Sequence, residues 1–163
     1  MGRINQKHGE LKMKGIHFGC GGRRIEGWDN FDLDLDITKV PFSFADATYD
    51  AAFASHVIEH VSGPQALAFM TEVRRILKPG GWFRISIPVI GPWLPWDKAR
   101  DLTFNHGHLT TWNEDMVRTF FWMAGFDQQK TRRVDRDVRF DHHHLEIGEE
   151  LDYMESCRII AYK

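Results

Sequence analysis

Two groups of residues in this chain have types and spacings suited to chemistry. The first is Gly19-Cys20-Gly21-Gly22, with only ten residues between Gly21 and Asp32. Glycines let backbone approach a ligand closely, and an acid beyond the next strand accepts hydrogen bonds from ribose hydroxyls. A dinucleotide fingerprint would put a third glycine where Arg24 stands, and its acid about 20 residues on. Ten residues are too few for a crossover helix plus a strand. A nucleoside ligand without a pyrophosphate fits this spacing, and a plain tight turn is the alternative. The second group is His56-Val57-Ile58-Glu59-His60, a His-x-x-Glu-His spelling used by zinc peptidases. That use needs one helix carrying both histidines, and a third ligand from His106, His108 or the 141–144 Asp-His-His-His cluster. The segment instead follows a short apolar strand directly and meets Gly63-Pro64, so no metal is expected. Glu59 and His60 are read as orienting the loop or beginning a helical turn, and residues 141–144 as a solvated loop.

The elements that must position these groups are legible in part. Residues 15–18 and 30–35 alternate apolar and polar side chains, as half-buried strands do. In the second run Phe31, Leu33 and Leu35 share one face, and Asp32, Asp34 and Asp36 the other. Residues 39–49 contain Pro41 and form an irregular connection, and 51–55 a small buried strand. Residues 64–77 place apolar side chains three and four apart, with Pro64 at the start and Lys78-Pro79-Gly80 at the end: a helix. Residues 82–87 form the next strand. Residues 112–124 form a second helix, opened by a Thr111-x-x-Glu114 capping box and closed by Gly125. Residues 126–134 and 156–162 are the last two strands. Alternating helices and strands predict an α/β fold with a mostly parallel sheet. Residues 1–13 are a polar arm, and 14–163 form one domain.

Length and composition narrow the class. A chain of 163 residues with 42% hydrophobic and 27% charged residues is ordinary for one globular domain. A net charge of −2 gives no general attraction to nucleic acid or to an anionic membrane. Residues 132–139 alternate in sign and do not build a basic face. The longest apolar runs fall far short of the ~18 residues that span a bilayer. The first residues have no apolar core of the secretory kind. Cys20 and Cys157 suggest a reducing compartment, so a cytoplasmic location is expected.

Residues 14–36 resemble the first motif of the class I S-adenosylmethionine (SAM) dependent methyltransferases, in a compact, type 11-like branch. Gly19-Cys20-Gly21, Gly27-Trp28, Asn30 and Asp32 carry the likeness. Residues 50–61 and 74–88 resemble the two following motifs in order. The resemblance implies a three-layer, Rossmann-like fold with a shortened first helix and an antiparallel last strand. It implies SAM as cofactor, S-adenosylhomocysteine (SAH) as product, and methyl transfer as the activity. Gly19 and Gly21, with Cys20 between them, inherit the loop that lies against the methionine and ribose. His17 stands where relatives carry an acid or amide that helps hold the ligand amine. Asp32 is assigned to the ribose hydroxyls. Asp36 is assigned to the adenine amine with Ile37 packed on the ring, Asp34 or Asp46 being the alternatives. Ser55 and His56 face the sulfonium.

The acceptor side rests on residues 88–112, rich in proline, tryptophan and histidine. Trp93, Trp96 and Phe104 either wall an acceptor or close the core. Methyl transfer is a displacement at an activated carbon, so the protein mainly positions the acceptor. An oxygen or nitrogen acceptor must still lose a proton, and histidine is the natural base near neutral pH. His106 and His108 are the candidates, with Asp97 or no enzyme base as alternatives; Lys98 and Arg100 could hold an anionic acceptor. The expected acceptor is a small polar molecule, such as a sugar or surface-polysaccharide precursor. Methylation of nucleic acid or protein, and a non-catalytic SAM-binding subunit, are the alternative functions. The sequence gives no oligomeric state.

Overall fold

The computed structural model describes residues 13–92, 94–104, 107–133 and 156–163. Its centre is a six-stranded sheet: β1 (Gly15–Phe18), β2 (Asp29–Phe31), β3 (Tyr49–Ser55), β4 (Leu77–Pro88), β5 (Arg132–Arg133) and β6 (Ser156–Tyr162). The order is β2-β1-β3-β4-β6-β5. The first four strands run parallel, while β6 lies antiparallel to β4 and to β5. Three helices accompany them: α1 (Gly63–Ile76), α2 (Trp96–Phe104) and α3 (Glu114–Met123). The predicted α/β class and the antiparallel last strand are both present.

Helix α1 forms because Ala66, Phe69, Met70, Val73 and Ile76 recur on one stripe, all wholly buried. The Gln65 side chain accepts from the backbone N–H of Ser62 at 3.0 Å and from its hydroxyl at 2.7 Å, fixing the first turn. Its stripe meets the sheet through Phe69 and Phe83, whose rings stand edge to face at 5.9 Å. Phe83 in turn meets Phe121 of α3 at 5.6 Å, so α1 and α3 cover the same sheet face. Near the end of α1, the Glu72 carboxylate accepts from the N–H of Phe42 at 2.8 Å, while Arg75 donates to Glu72, Asp46 and the Phe44 carbonyl. That clasp pins the irregular segment between β2 and β3. The Arg75 bond is the leading reason the Glu72 carboxyl is held below its usual range.

No helix links β1 to β2. Trp28 takes that place: it lies flat against the backbone of Gly15, where a Cβ would come within 2.1 Å of the indole, and it meets Trp82 at 6.1 Å. The shortened first crossover is thus a loop sealed by one tryptophan.

Four boundaries differ from the sequence reading. β2 stops at Phe31, so Asp32, Asp34 and Asp36 do not share a strand face. As an edge strand it has no outer neighbour, and Asp34 and Asp36 cap local N–H groups in a turn instead. Helix α3 is capped by Asn113, which accepts from the N–H of Met116 at 2.8 Å; Thr111 is not the cap. Among the described residues of 126–134 only Arg132–Arg133 is strand, because Asp127 turns the chain by accepting from the N–H groups of Gln129 and Lys130. Residues 96–104, read as loop, form α2. Their Asp, Lys, Ala, Arg and Leu suit a helix although the apolar stripe is thin. Residues 1–12 of the proposed arm lie outside the described residues.

Candidate functional site

The carboxyl ends of β1, β2 and β3 converge on the glycine loop, the place where open parallel sheets bind ligands. The loop is tied down by one bond, from the N–H of Cys20 to the Phe31 carbonyl at 3.0 Å. That bond brings Gly19–Gly22 against the start of the aspartate turn. Gly19 and Gly21 have φ of +65° and +49°, conformations that L side chains rarely adopt. A Cβ on Gly19 would strike Val57 at 2.5 Å, whereas nothing lies within 4 Å of a Cβ on Gly21 or Gly22. Gly19 is required by packing, and Gly21–Gly22 presents bare backbone to open space. The Cys20 side chain is buried, and burial pushes its thiol up.

Asp32 is exposed, and among the described residues its carboxylate has no hydrogen-bond or ion-pair partner. Its own N–H is already bonded, to Asp34 Oδ1 at 2.7 Å. Asp36 differs: one oxygen takes the N–H and hydroxyl of Thr38 at 3.0 and 2.7 Å, and the other sits 3.3 Å from Lys39. Those Thr38 bonds lead the causes that hold its carboxyl low. Ile37 beside it is half-buried against the core.

His17 is 3% exposed and stacks obliquely on Phe53 at 4.9 Å. Asn30 fixes its tautomer. The Asn30 amide donates to the carbonyls of Ile25 and Trp28, so its Oδ1 is the acceptor, taking the N–H of Ile25 at 2.8 Å and facing His17 Nδ1 at 3.3 Å. Nδ1 therefore carries the hydrogen, and Nε2 keeps a lone pair. Burial is the main cause pulling this imidazole's pKa below normal, partly offset by Asn30 and Asp32. His17 is neutral at pH 7, the form that can accept from an ammonium.

At the end of β3, Ser55 pairs in register with Ser86 of β4, and His56 adopts φ of +54° while its N–H bonds the Ser86 carbonyl at 2.9 Å. A left-handed non-glycine residue at a strand's carboxyl end is the kind of strain that functional sites hold. Residues Ile58–His60 then form one 3-10 turn rather than an α-helix. The His-x-x-Glu-His spelling has no metal-peptidase helix under it.

On the acceptor side, Leu109 and Thr110 donate their N–H groups to the Glu59 carbonyl at 2.8 and 3.1 Å, docking the 107–112 segment on that turn. This brings His108 beside His60, ring centroids 5.0 Å apart. His106 lies outside the described residues, as do Trp93 and the 141–144 cluster. Trp96 and Phe104 are 78% and 75% exposed, so these two do not close the core. Asp97 opens α2, with Lys98 and Arg100 on the same exposed helix. Sequence reasoning passed over one feature here: Glu59 is 1% exposed. Its signal was a carboxylate set between two histidines.

The donor set suits a nucleoside carrying an amino acid: a bare glycine cradle, a spare carboxylate, and a neutral buried imidazole with a lone pair. Residues 18–85 match the model of a family described as a methyltransferase domain. Over that stretch the chain is similar to the methyltransferase domain family. No curated protein sequence matches the chain. Among solved structures, a SAM-dependent methyltransferase from Archaeoglobus fulgidus is 14% identical, with a TM-score of 0.64 over 93% of this chain and 86% of that one. A methyltransferase from Thermotoga maritima, described as a possible histamine N-methyltransferase, is 17% identical, with a TM-score of 0.62 over 93% and 83%. Phosphoethanolamine N-methyltransferase 2 of Haemonchus contortus, seen with phosphomonomethylethanolamine and SAH, is 13% identical. Its TM-score is 0.65 over 93% of this chain and 48% of that one. These likenesses show that the chain shares the fold of those SAM-dependent methyltransferases. No helix among the described residues is long and apolar enough to cross a membrane.

Proposed function

We propose that this domain methylates an oxygen or nitrogen of a small polar acceptor, a sugar or surface-polysaccharide precursor being one such class. The observation that carries the cofactor half is the Cys20–Phe31 bond, which sets bare glycine backbone beside an unpartnered Asp32. Asp32 accepts from the ribose hydroxyls, Gly19 and Gly21 line the ribose and methionine, and His17 Nε2 accepts from the ammonium. Asp36 keeps the adenine amine through the oxygen now facing Lys39, with Ile37 against the ring. Ser55 and His56 border the sulfonium at the end of β3.

SAM supplies an electrophilic methyl group. The chain's own residues then have two tasks: aligning the acceptor and disposing of its proton. Exposed Trp96, Phe104 and Leu109 offer apolar faces for an acceptor, and His106 and His108 are the proton acceptors. Two structural neighbours with small amines in their descriptions favour a small acceptor over a macromolecular one. The absence of a basic face in the sequence points the same way.

Calorimetric titration with SAH tests the cofactor assignment. Asp32→Ala removes a charged hydrogen-bond partner and is expected to weaken SAH binding by about 1.5–3 kcal/mol, roughly tenfold to hundredfold. Unchanged binding in that variant would sink the assignment of Asp32. Turnover of SAM to SAH with panels of sugars and amines then tests the acceptor class. A preference for protein or nucleic acid would overturn it.

A further inference from the structure

We propose that Glu59, His60 and His108 form a binding site for one divalent transition-metal ion of the zinc class. The starting observation is Glu59: its carboxylate is buried, and neither oxygen has a hydrogen-bond partner. His56 Nδ1 comes within 3.1 Å of Oε1, but not in hydrogen-bonding alignment. An ionised carboxylate out of water is costly unless it is paired or ligates a metal.

Two imidazoles, His60 and His108, lie beside it. One ligand atom from each of Glu59, His60 and His108 lies within 4.8 Å of the others. Bonds of 2.0–2.2 Å around a tetrahedral ion put ligand atoms about 3.4 Å apart, so closure needs shifts of about an ångström. His60 is an exposed ring on a surface turn, free to swing by that much. Its Nδ1 is 3.3 Å from the Gly107 carbonyl, which can only accept, so Nδ1 carries the hydrogen and Nε2 the lone pair. A ligating histidine oriented by a backbone carbonyl is the usual supporting arrangement at metal sites. Meanwhile the bonds from Leu109 and Thr110 to the Glu59 carbonyl hold the two ligand-bearing segments together.

Two imidazoles and one carboxylate select zinc, cobalt, nickel or iron over magnesium or calcium. Three protein ligands leave a coordination position open, as catalytic rather than structural zinc sites do. The site differs from the peptidase pattern, because the second histidine comes from residue 108 and not from position 56. The open position lies among the loops that follow β3 and β4. Its consequence for catalysis rests on the acceptor reading above: an acceptor hydroxyl taken as fourth ligand would have its pKa lowered. His108 would then serve as ligand, leaving His106 or water to receive the proton.

The test uses the full chain, stripped with a chelator and desalted, then titrated with Co2+ by visible absorption and with Zn2+ by calorimetry. One equivalent of each is expected, with the absorption bands of a low-coordinate cobalt centre. Zinc should raise the melting temperature of the parent protein. His60→Ala and His108→Ala should each weaken binding at least tenfold and abolish the zinc-induced rise, while SAH affinity stays unchanged. Glu59→Gln should do the same, but it alters a buried side chain, so the histidine variants carry the test. A triple His142/His143/His144→Ala variant should keep its one equivalent. The proposal is overturned if the parent takes up no zinc, if the His60/His108 double variant binds like the parent, or if the triple variant loses the ion. Zinc binding without SAH binding would leave this site standing and remove the cofactor assignment; the reverse would remove only the metal.

Discussion

The glycine-loop edge of the sheet and the histidine-bearing edge beside it solve recognition in opposite ways. At the first, side chains are used up internally: Asn30 bonds four groups, Trp28 seals Gly15, and Cys20 is buried. What remains for a ligand is backbone, one spare carboxylate and the Nε2 lone pair of His17. At the second, backbone is used up in docking 107–112 on the turn, and the Glu59 carboxylate, beside the His60 and His108 rings, keeps no hydrogen-bond partner. A site made of backbone tolerates little change of shape. A site made of side chains tolerates shape changes but depends on each residue's type.

The largest effect should therefore come from shape at the glycine edge. Gly15→Ala puts a Cβ 2.1 Å from the Trp28 ring, inside any permitted contact. Overpacking of a filled site costs about 1–3 kcal/mol and occasionally more; here the indole has Trp82 behind it, which argues for the upper end. Denaturant unfolding should report a loss of about 3 kcal/mol. A loss under 1 kcal/mol would mean that the Trp28 seal is loose and that the contrast between the two edges is false.

A smaller effect separates the edges by pH. Burial lowers the His17 pKa, so the folded protein keeps it neutral below the unfolded value of about 6.5. Stability and ammonium binding from this residue are thus fully present above that pH. Both are lost as pH falls from about 6.5 through the folded pKa. SAH affinity should drop severalfold between pH 7.5 and 5.5, and His17→Asn should flatten that profile. A wild-type profile that His17→Asn leaves unaltered would show that His17 faces away from the ligand.

The two edges were also unequally legible in sequence. The glycine turn after β1 and the compact first crossover could be read because positive-φ turns leave glycines at fixed spacing. α1 and β4 could be read because their apolar periodicity matches their burial. The aspartate turn could not: Asp32, Leu33, Asp34 and Leu35 alternate like a strand, yet Leu33 is 96% exposed. Alternation reports a strand only where a partner covers one face, and an edge has none to offer. Helix α2 was hidden for a related reason, since Trp96 and Phe104 cover nothing that would mark a buried stripe. The pairing of His60 with His108 spans 48 positions and depends on Thr110 docking on a carbonyl, which no local pattern encodes.

The smallest expected effect sharpens the difference between spare and committed groups within one turn. Asp32 and Asp36 are the same residue type, both exposed, four positions apart. Asp36 already satisfies Thr38, so much of what it contributes is local, and any adenine contact must displace the exposed Lys39. Asp36→Ala should then lower stability slightly, as a small fall in melting temperature, because the Thr38 bonds are lost. SAH affinity should fall only about twofold to fivefold, the size of one exposed hydrogen bond. Asp32→Ala should reverse the pattern, with stability nearly intact and affinity reduced at least tenfold. If instead Asp36→Ala were the more damaging to SAH binding, the spare carboxylate would not be the one that matters, and the adenine end would govern affinity.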